Sequence, residues 1–391
     1  MGWPSWSRKN NETFTVSCGT VGLDVNATRL RAMSCETGRP TRPLVLEDPH
    51  VELPLAVNME GRTPVVGRAA LANERRLPHA VCFDFLNALT QPLEWKVGKH
   101  RHNAAGLVNL AVQRFRTVCP KPENLTLTLP IYLAPQKVTA LANLFESAKL
   151  PIRGSVALPL ALLAASDPSE RRPAMTLVVD VDDHALTGAL IGCASHQAKL
   201  LGSVVLPRLN LRAWKDRLLN ALADRCVRVC RRDPRDSAAA EQALFEQLDG
   251  ALDRIRQGDK VDLTIRSTHW FQNLIQQADD FDGYCNALAT QAVSVLREII
   301  LSAPEPLQAV WLTHAAGRLP GLANSLHEQI SERAALTVLG VDAGAKAAVT
   351  LATRWVRDEL PRTHLDGVVL LPESGPPETR SAPSRRSRTE T

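Results

Sequence analysis

Two aspartates close two apolar segments of similar kind, and an acidic cluster follows the second. Asp24 ends Thr15–Asp24 (TVSCGTVGLD), and Asp180 ends Met175–Asp180 (MTLVVD). Each is a polar strand end on the simplest reading, and a site residue if the other faces it across a cleft. Asp182-Asp183-His184 offers two carboxylates and an imidazole, a set able to hold a divalent metal, but its first reading is a solvated hairpin turn. His314 reads either as a ligand contact or as a partly buried histidine with a protein partner. Cys226 and Cys230 stand one helical turn apart, but zinc needs further ligands nearby and no Cys-x-x-Cys pair occurs, so the 8 cysteines read as reduced, mostly buried thiols. Trp270-Phe271 and Trp311 read as core residues, and His100-Arg101-His102 as a solvated loop.

The elements that must position these groups follow from the pattern along the chain. Of 391 residues, 45% are hydrophobic and 22% charged, the balance of a folded chain of two or three core units. The net charge of +5 is concentrated near the end, at Arg380, Arg385, Arg386 and Arg388, which gives no basic groove and excludes nucleic acid as an expected partner. No apolar run reaches the roughly 18–20 residues needed to span a bilayer. The opening residues lack the apolar core of a signal peptide, so the expected location is cytoplasmic.

The first half reads as strands over Thr15–Asp24, Thr28–Cys35, Leu44–Leu46 and Pro64–Val66, with helices over Arg68–Glu74 and Ala104–Arg116. A strand at Asn124–Pro130, a helix at Pro135–Ala148 and an apolar segment at Ser155–Ala165 complete it. After a polar break at Ser166–Pro173 the plan starts again. Strands are expected over Met175–Asp180, His184–Gly192 and Gln197–Val205, and helices over Leu211–Asp253 with an interruption at Arg231–Ser237. A strand at Asp259–Ile265 and helices at His269–Gln277 and Asn286–Leu301 follow. The half closes with a strand at Gln308–Leu312 and helices at Leu319–Arg333 and Asp342–Arg357. Two halves that each begin with a strand ending in Asp, turn through a hairpin and alternate helices with strands predict α/β layers around a central cleft.

Seven segments carry a resemblance in order. They are Val21–Thr28 (VGLDVNAT), Arg62–Ala70 (RTPVVGRAA), Leu127–Leu133 (LTLPIYL), Ser155–Ala165, Val178–Asp183 (VVDVDD), Trp311–Pro320 (WLTHAAGRLP) and Val341–Ala348 (VDAGAKAA). Together they resemble the nucleotide-binding domain of the seventy-kilodalton heat-shock chaperones, in the actin-like ATPase superfamily, over about residues 20–371. The resemblance implies an α/β, actin-like ATPase fold: two lobes of duplicated mixed five-stranded sheet with flanking helices. Lobe I would span 14–173 and lobe II 174–371, with a helical subdomain at about 211–285. Residues 1–13 and 372–391 would be disordered.

The resemblance also implies a site for ATP or ADP with magnesium. Asp24, Asn26 and Thr28 match the first phosphate loop, and Asp180, Asp182 and Asp183 the second. Asp24 and Asp180 would hold magnesium through water. Gly317 and Arg318 match the adenosine loop, with His314-Ala315 where the family has Gly-Gly, and Gly344 lies in the closing helix segment. Asn26-Ala27 stands where the family has Gly-Thr, and Asp182, Asp183 and His184 where it has three glycines. The catalytic lysine position is Leu71 and the catalytic acid position Leu158. Leucine orients no water and holds no cation, and phosphoryl transfer depends on positioning and charge, so little or no hydrolysis is expected.

The apolar Val368–Leu371 strip resembles the family's interdomain linker and would dock on its own domain or on a partner's sheet edge. A polar tail follows it, with no peptide-binding domain expected. The expected function is therefore that of a degenerate chaperone-type domain acting as a scaffold or regulator through other proteins. The alternatives are a genuine ATPase and an actin-like assembly protein of a membrane-associated machine.

Overall fold

The computed structural model describes residues 18–372 except 37, 168–171, 195, 331–333 and 362; the expected disordered ends lie outside the described residues, Pro372 apart. The chain is mixed α/β. In the first half, β1 (Thr20–Val25) and β2 (Arg29–Cys35) form a hairpin, and β3 (Glu52–Pro54) pairs with β2. Helix α1 (Ala104–Val118), β4 (Asn124–Leu129), α2 (Pro135–Ser147), β5 (Ile152–Ala157) and α3 (Leu158–Ala164) follow. β1, β4 and β5 run parallel to one another, so the sheet order is β3–β2–β1–β4–β5, with Arg42–Pro43 also paired to β2 beside β3 and His364–Leu365 added beyond β5.

The second half repeats this order. A three-stranded meander of β6 (Met175–Val181), β7 (Leu186–Ala194) and β8 (Gln197–Leu206) leads into α4 (Leu211–Cys230) and α5 (Ala238–Ile255). A hairpin of β9 (Val261–Arg266) and β10 (Phe271–Gln276) precedes α6 (Ala278–Leu301), β11 (Ala309–Leu312), α7 (Leu322–Gln329) and β12 (Ala335–Val338). The sheet order is β8–β7–β6–β11–β12, again with the last two strands parallel to the first. Helix α8 (Ala343–Val356) and β13 (Val368–Leu370) close the chain, β13 on the free edge of β8.

The two sheets enclose a shared inner layer. Val156 of the first sheet and Val178, Ala189 and Ile191 of the second bury the apolar helix α3 together with Leu351 and Trp355 of α8. Outer helices cover the remaining faces: α1 and α2 on the first sheet, α4 to α7 on the second. Alternation along each strand makes this two-sided burial possible, since successive side chains point to opposite faces.

Several expectations need correction. His269–Gln277 is not a helix: β10 occupies it, with period-2 alternation that buries Leu274 and Gln276 and exposes Phe271 and Ile275. Phe271 is 74% exposed, so it is not core. The stretch 211–285 is accordingly not wholly helical. Leu44–Leu46 forms no strand, although the Leu44 N–H still donates to Ala32 O at 2.9 Å. Of the helix expected over Leu319–Arg333, the described residues form Leu322–Gln329, preceded by Gly321 in the left-handed region at φ 75°, and 331–333 lie outside the described residues. Among the described residues, no helix is long and apolar enough to cross a membrane.

Candidate functional site

The two opening hairpins meet turn to turn. In the first turn, Asn26 Oδ1 accepts from Thr28 N at 3.0 Å and Arg29 N at 2.9 Å, and the Asn26 N–H donates to Arg29 O at 3.1 Å. In the second, Asp182 Oδ1 accepts from His184 N at 2.9 Å and Ala185 N at 3.0 Å. Both are side-chain-closed turns of the kind Asn and Asp form readily. Neither places residues 26–28 or 182–184 at positive φ, so both turns form without the glycines the resemblance calls for.

The turns bind each other directly. Ala27 N donates to Asp182 Oδ2 at 2.9 Å, and Asp183 N donates to Thr28 Oγ1 at 2.9 Å. The Tyr132 hydroxyl, from the loop after β4, donates to the same Asp182 Oδ2. On the flank of this seam His184 Nδ1 bonds Asp84 Oδ2 at 2.9 Å, and the Tyr132 and His184 rings lie 4.6 Å apart. The hydrogen bond to Asp84 raises the His184 pKa above its ordinary value, against the opposing effect of burial.

Behind the seam lie the two strand-end aspartates. Asp24 accepts from Thr128 Oγ1 at 3.0 Å and from Arg29 at 3.2 Å. Asp180 accepts from Thr313 Oγ1 at 2.6 Å. Burial pushes the Asp180 carboxyl up to about 7; the Thr313 hydroxyl opposes this, and the charges of Asp182 and Asp24 add to it.

In front of the seam is a cavity of about 780 Å³ lined by both halves, including Asn26, Thr28, Leu71, Asp183, His314 and Arg318. Asp24, Asp180, Asp182, Gly317 and Gly344 do not line it. The cations on its wall are already engaged. Arg29 and Arg68 pair with Glu52, and Arg31 with Glu52 and Asp342. Arg212 pairs with Glu74, and both Lys215 and Arg318 hold Asp249 at 2.7 Å. Burial pushes Asp249 upward, but Lys215 and Arg318 outweigh it and hold its carboxyl below the usual range. His314 lies 3.5 Å from Asp253; burial, with Arg318 nearby, depresses its pKa. Asp183 faces the cavity, its carboxyl raised to about 6 by burial despite Arg212 and Lys215.

The remaining predicted positions have packing roles. A Cβ on Gly317 would fall 2.2 Å from Val338, and one on Gly344 2.8–3.0 Å from the Asp24 carboxylate. Leu158 is buried in the inner helical layer. The metal reading of Asp182-Asp183-His184 does not fit: Asp182 is taken by N–H and O–H donors and His184 turns to Asp84, and among the described residues no group of three or more acidic, histidine or cysteine side chains is arranged to hold a metal. The donor set does not fit a phosphate chain either, because the Asp182 carboxylate fills the N–H cradle between the turns. The chain matches no protein-family model and no curated protein.

Sequence reasoning missed Tyr132, Asp84, Arg29 and Thr313. Tyr132 and Asp84 lie 50 and 100 residues from the groups they bind, and no local pattern marks them. Thr313 does carry a signal: it caps the turn His314–Gly317, accepting from Ala316 N at 3.3 Å, as a threonine ahead of a helical turn commonly does.

Proposed function

We propose that this chain is an actin-like, heat-shock-chaperone-type nucleotide-binding fold in which contacts within the protein have replaced the nucleotide, and that it serves as a scaffold or regulator through other proteins. The repeated strand order, with a hairpin opening each half and an aspartate at each first strand, supports the fold reading. The observation that carries the functional reading is the direct docking of the turn at 26–28 onto the turn at 182–185, which fills the seam that phosphates would enter. Loss of hydrolysis agrees with the surroundings: Asp24 is paired to Arg29, and Leu71 and Leu158 supply neither charge nor a hydrogen bond. The pairing strip Val368–Leu370 lies on its own sheet, with Val368 and Leu370 outward on an edge strand where a protein partner can add.

Calorimetric and thermal-shift titration with Mg-ATP and Mg-ADP tests this. The expected result is no saturable heat and no nucleotide-dependent rise in Tm, since a ligand that binds only the folded state must raise it. A saturable rise overturns the reading. It would favour instead a genuine ATP-binding ATPase, for which the 780 Å³ cavity reaching Asn26, Thr28, His314 and Arg318 is the supporting observation.

A further inference from the structure

Asp182 is buried more deeply and bound more fully than a turn residue needs. It is 1% exposed, and its two carboxylate oxygens take four donors: the N–H groups of Ala27, His184 and Ala185 and the Tyr132 hydroxyl. Closing the turn accounts for His184 and Ala185. It does not account for Ala27 and Tyr132, which arrive from the other half of the chain. Convergent N–H donors around one enclosed point are how proteins bind anions. Burying an ionised carboxylate is unfavourable without such partners, and burial does push its pKa up while all four donors hold it down.

We propose that the donors of Ala27, His184, Ala185 and Tyr132 form an anion site, that the Asp182 carboxylate is its built-in occupant, and that the site accepts inorganic phosphate once that carboxylate is removed. The inference rests on the reading that nucleotide has been replaced internally. It adds the identity of the replacing group and its consequence: the halves are drawn together at all times, with no ligand required. A phosphate matches a carboxylate in charge sign and acceptor character, and offers a third oxygen for the space vacated by the side chain.

Asp182→Gly removes the carboxylate and retains every backbone donor. The test is thermal unfolding of wild type and Asp182→Gly in increasing inorganic phosphate, against chloride at matched ionic strength. The wild type is expected not to respond specifically. The variant is expected to start lower in Tm and to recover saturably with phosphate. Adding Tyr132→Phe to the variant is expected to weaken phosphate about tenfold, the worth of one charge-assisted hydrogen bond. A folded Asp182→Gly protein indifferent to phosphate overturns the proposal. If that variant folds only in phosphate, the proposal stands; if it does not fold even then, Asp182→Ser in the same titration decides by the same outcomes, and a second failure to be rescued counts against the site. Failure of the functional reading is distinct: it is a saturable response of the wild type to Mg-ATP.

Discussion

Asp180 lies under the seam with its carboxyl near 7 rather than at its ordinary 3.8. A carboxyl raised by folding binds its proton more tightly in the folded state, so its contribution is least unfavourable at low pH. Stability is lost as pH rises from the unfolded value toward about 7, and no further loss comes from this group above that. Asp180→Asn keeps an acceptor for the Thr313 hydroxyl and removes the charge. It is expected to stabilise the protein, with a gain that grows between pH 4 and pH 7, levels off above it, and reaches about 2–4 kcal/mol at one pKa unit per 1.4 kcal/mol. Urea unfolding across that pH range measures it; a flat or negative difference refutes the assignment. His184 acts in the same direction, over a higher pH window. Its pKa is raised by Asp84, so its contribution is fully present below 6.5 and fades as pH climbs through the raised value. His184→Gln should abolish that alkaline component while leaving the Asp180 component intact, and the two variants together separate the charges on either side of the seam.

At the scale of elements, the inner helix α8 decides how closely the halves approach. Its first turns are built from Ala343, Gly344, Ala345, Ala347 and Ala348, and small side chains let the helix lie against β1 with its backbone almost in contact. A Cβ at Gly22 would sit 2.4 Å from both Ala345 O and Val349 N, and the Thr126 hydroxyl donates to Ala348 O at 2.7 Å. Backbone cannot move aside as a side-chain tip can, so Gly22→Ala is expected to destabilise by about 3 kcal/mol, at the upper end of overpacking effects, and Tm by differential scanning calorimetry checks this. Gly22 is thus a packing glycine, a role invisible in a motif that reads it as part of a phosphate loop. The same contrast runs through the chain. Strand–helix alternation and its repetition after Ser166–Pro173 were legible, because period-2 and period-3.6 patterns are local properties of the chain. Asp182 and Asp183 were legible as turn residues, because Asp closes tight turns locally. The role of Asp182 was not, because its partners Ala27 and Tyr132 are brought to it only by the docking of two sheets. Phe271 was misread because a short aromatic–polar run fits a helix or a strand equally well; pairing of β10 with β9 decides it.

At the scale of the molecule, the halves are fastened by the apolar inner layer and the seam, and again across the cavity at its rim. Residues 71–83 of the first half face α4 and α5 of the second. The Gln242 side chain accepts from Arg75 N at 2.7 Å and donates to Leu71 O at 2.9 Å. The Arg75 guanidinium lies 4.2 Å from the centre of the Phe245 ring and pairs with Asp216 and Glu241; Arg212 pairs with Glu74 and covers Phe83 at 3.9 Å. Glu74 is buried, and burial raises its pKa despite Arg212, Arg75 and Lys215, so its ionised form depends on these partners. Such a rim, polar and partly exposed, is weaker than the apolar inner layer between the sheets, and local opening should begin there. Because the seam holds independently of the rim, breaking the rim is expected to free the cavity mouth without separating the halves. Arg75→Ala removes its ion pairs with Glu74, Asp216 and Glu241 and the ring contact, while leaving its N–H bond to Gln242. Hydrogen exchange is then expected to accelerate about tenfold at the amides of 71–77 and 211–218, equivalent to about 1.4 kcal/mol of local opening, while amides of β1 and β6 keep wild-type rates. Equal acceleration in β1 and β6 would mean that rim and seam open as one unit.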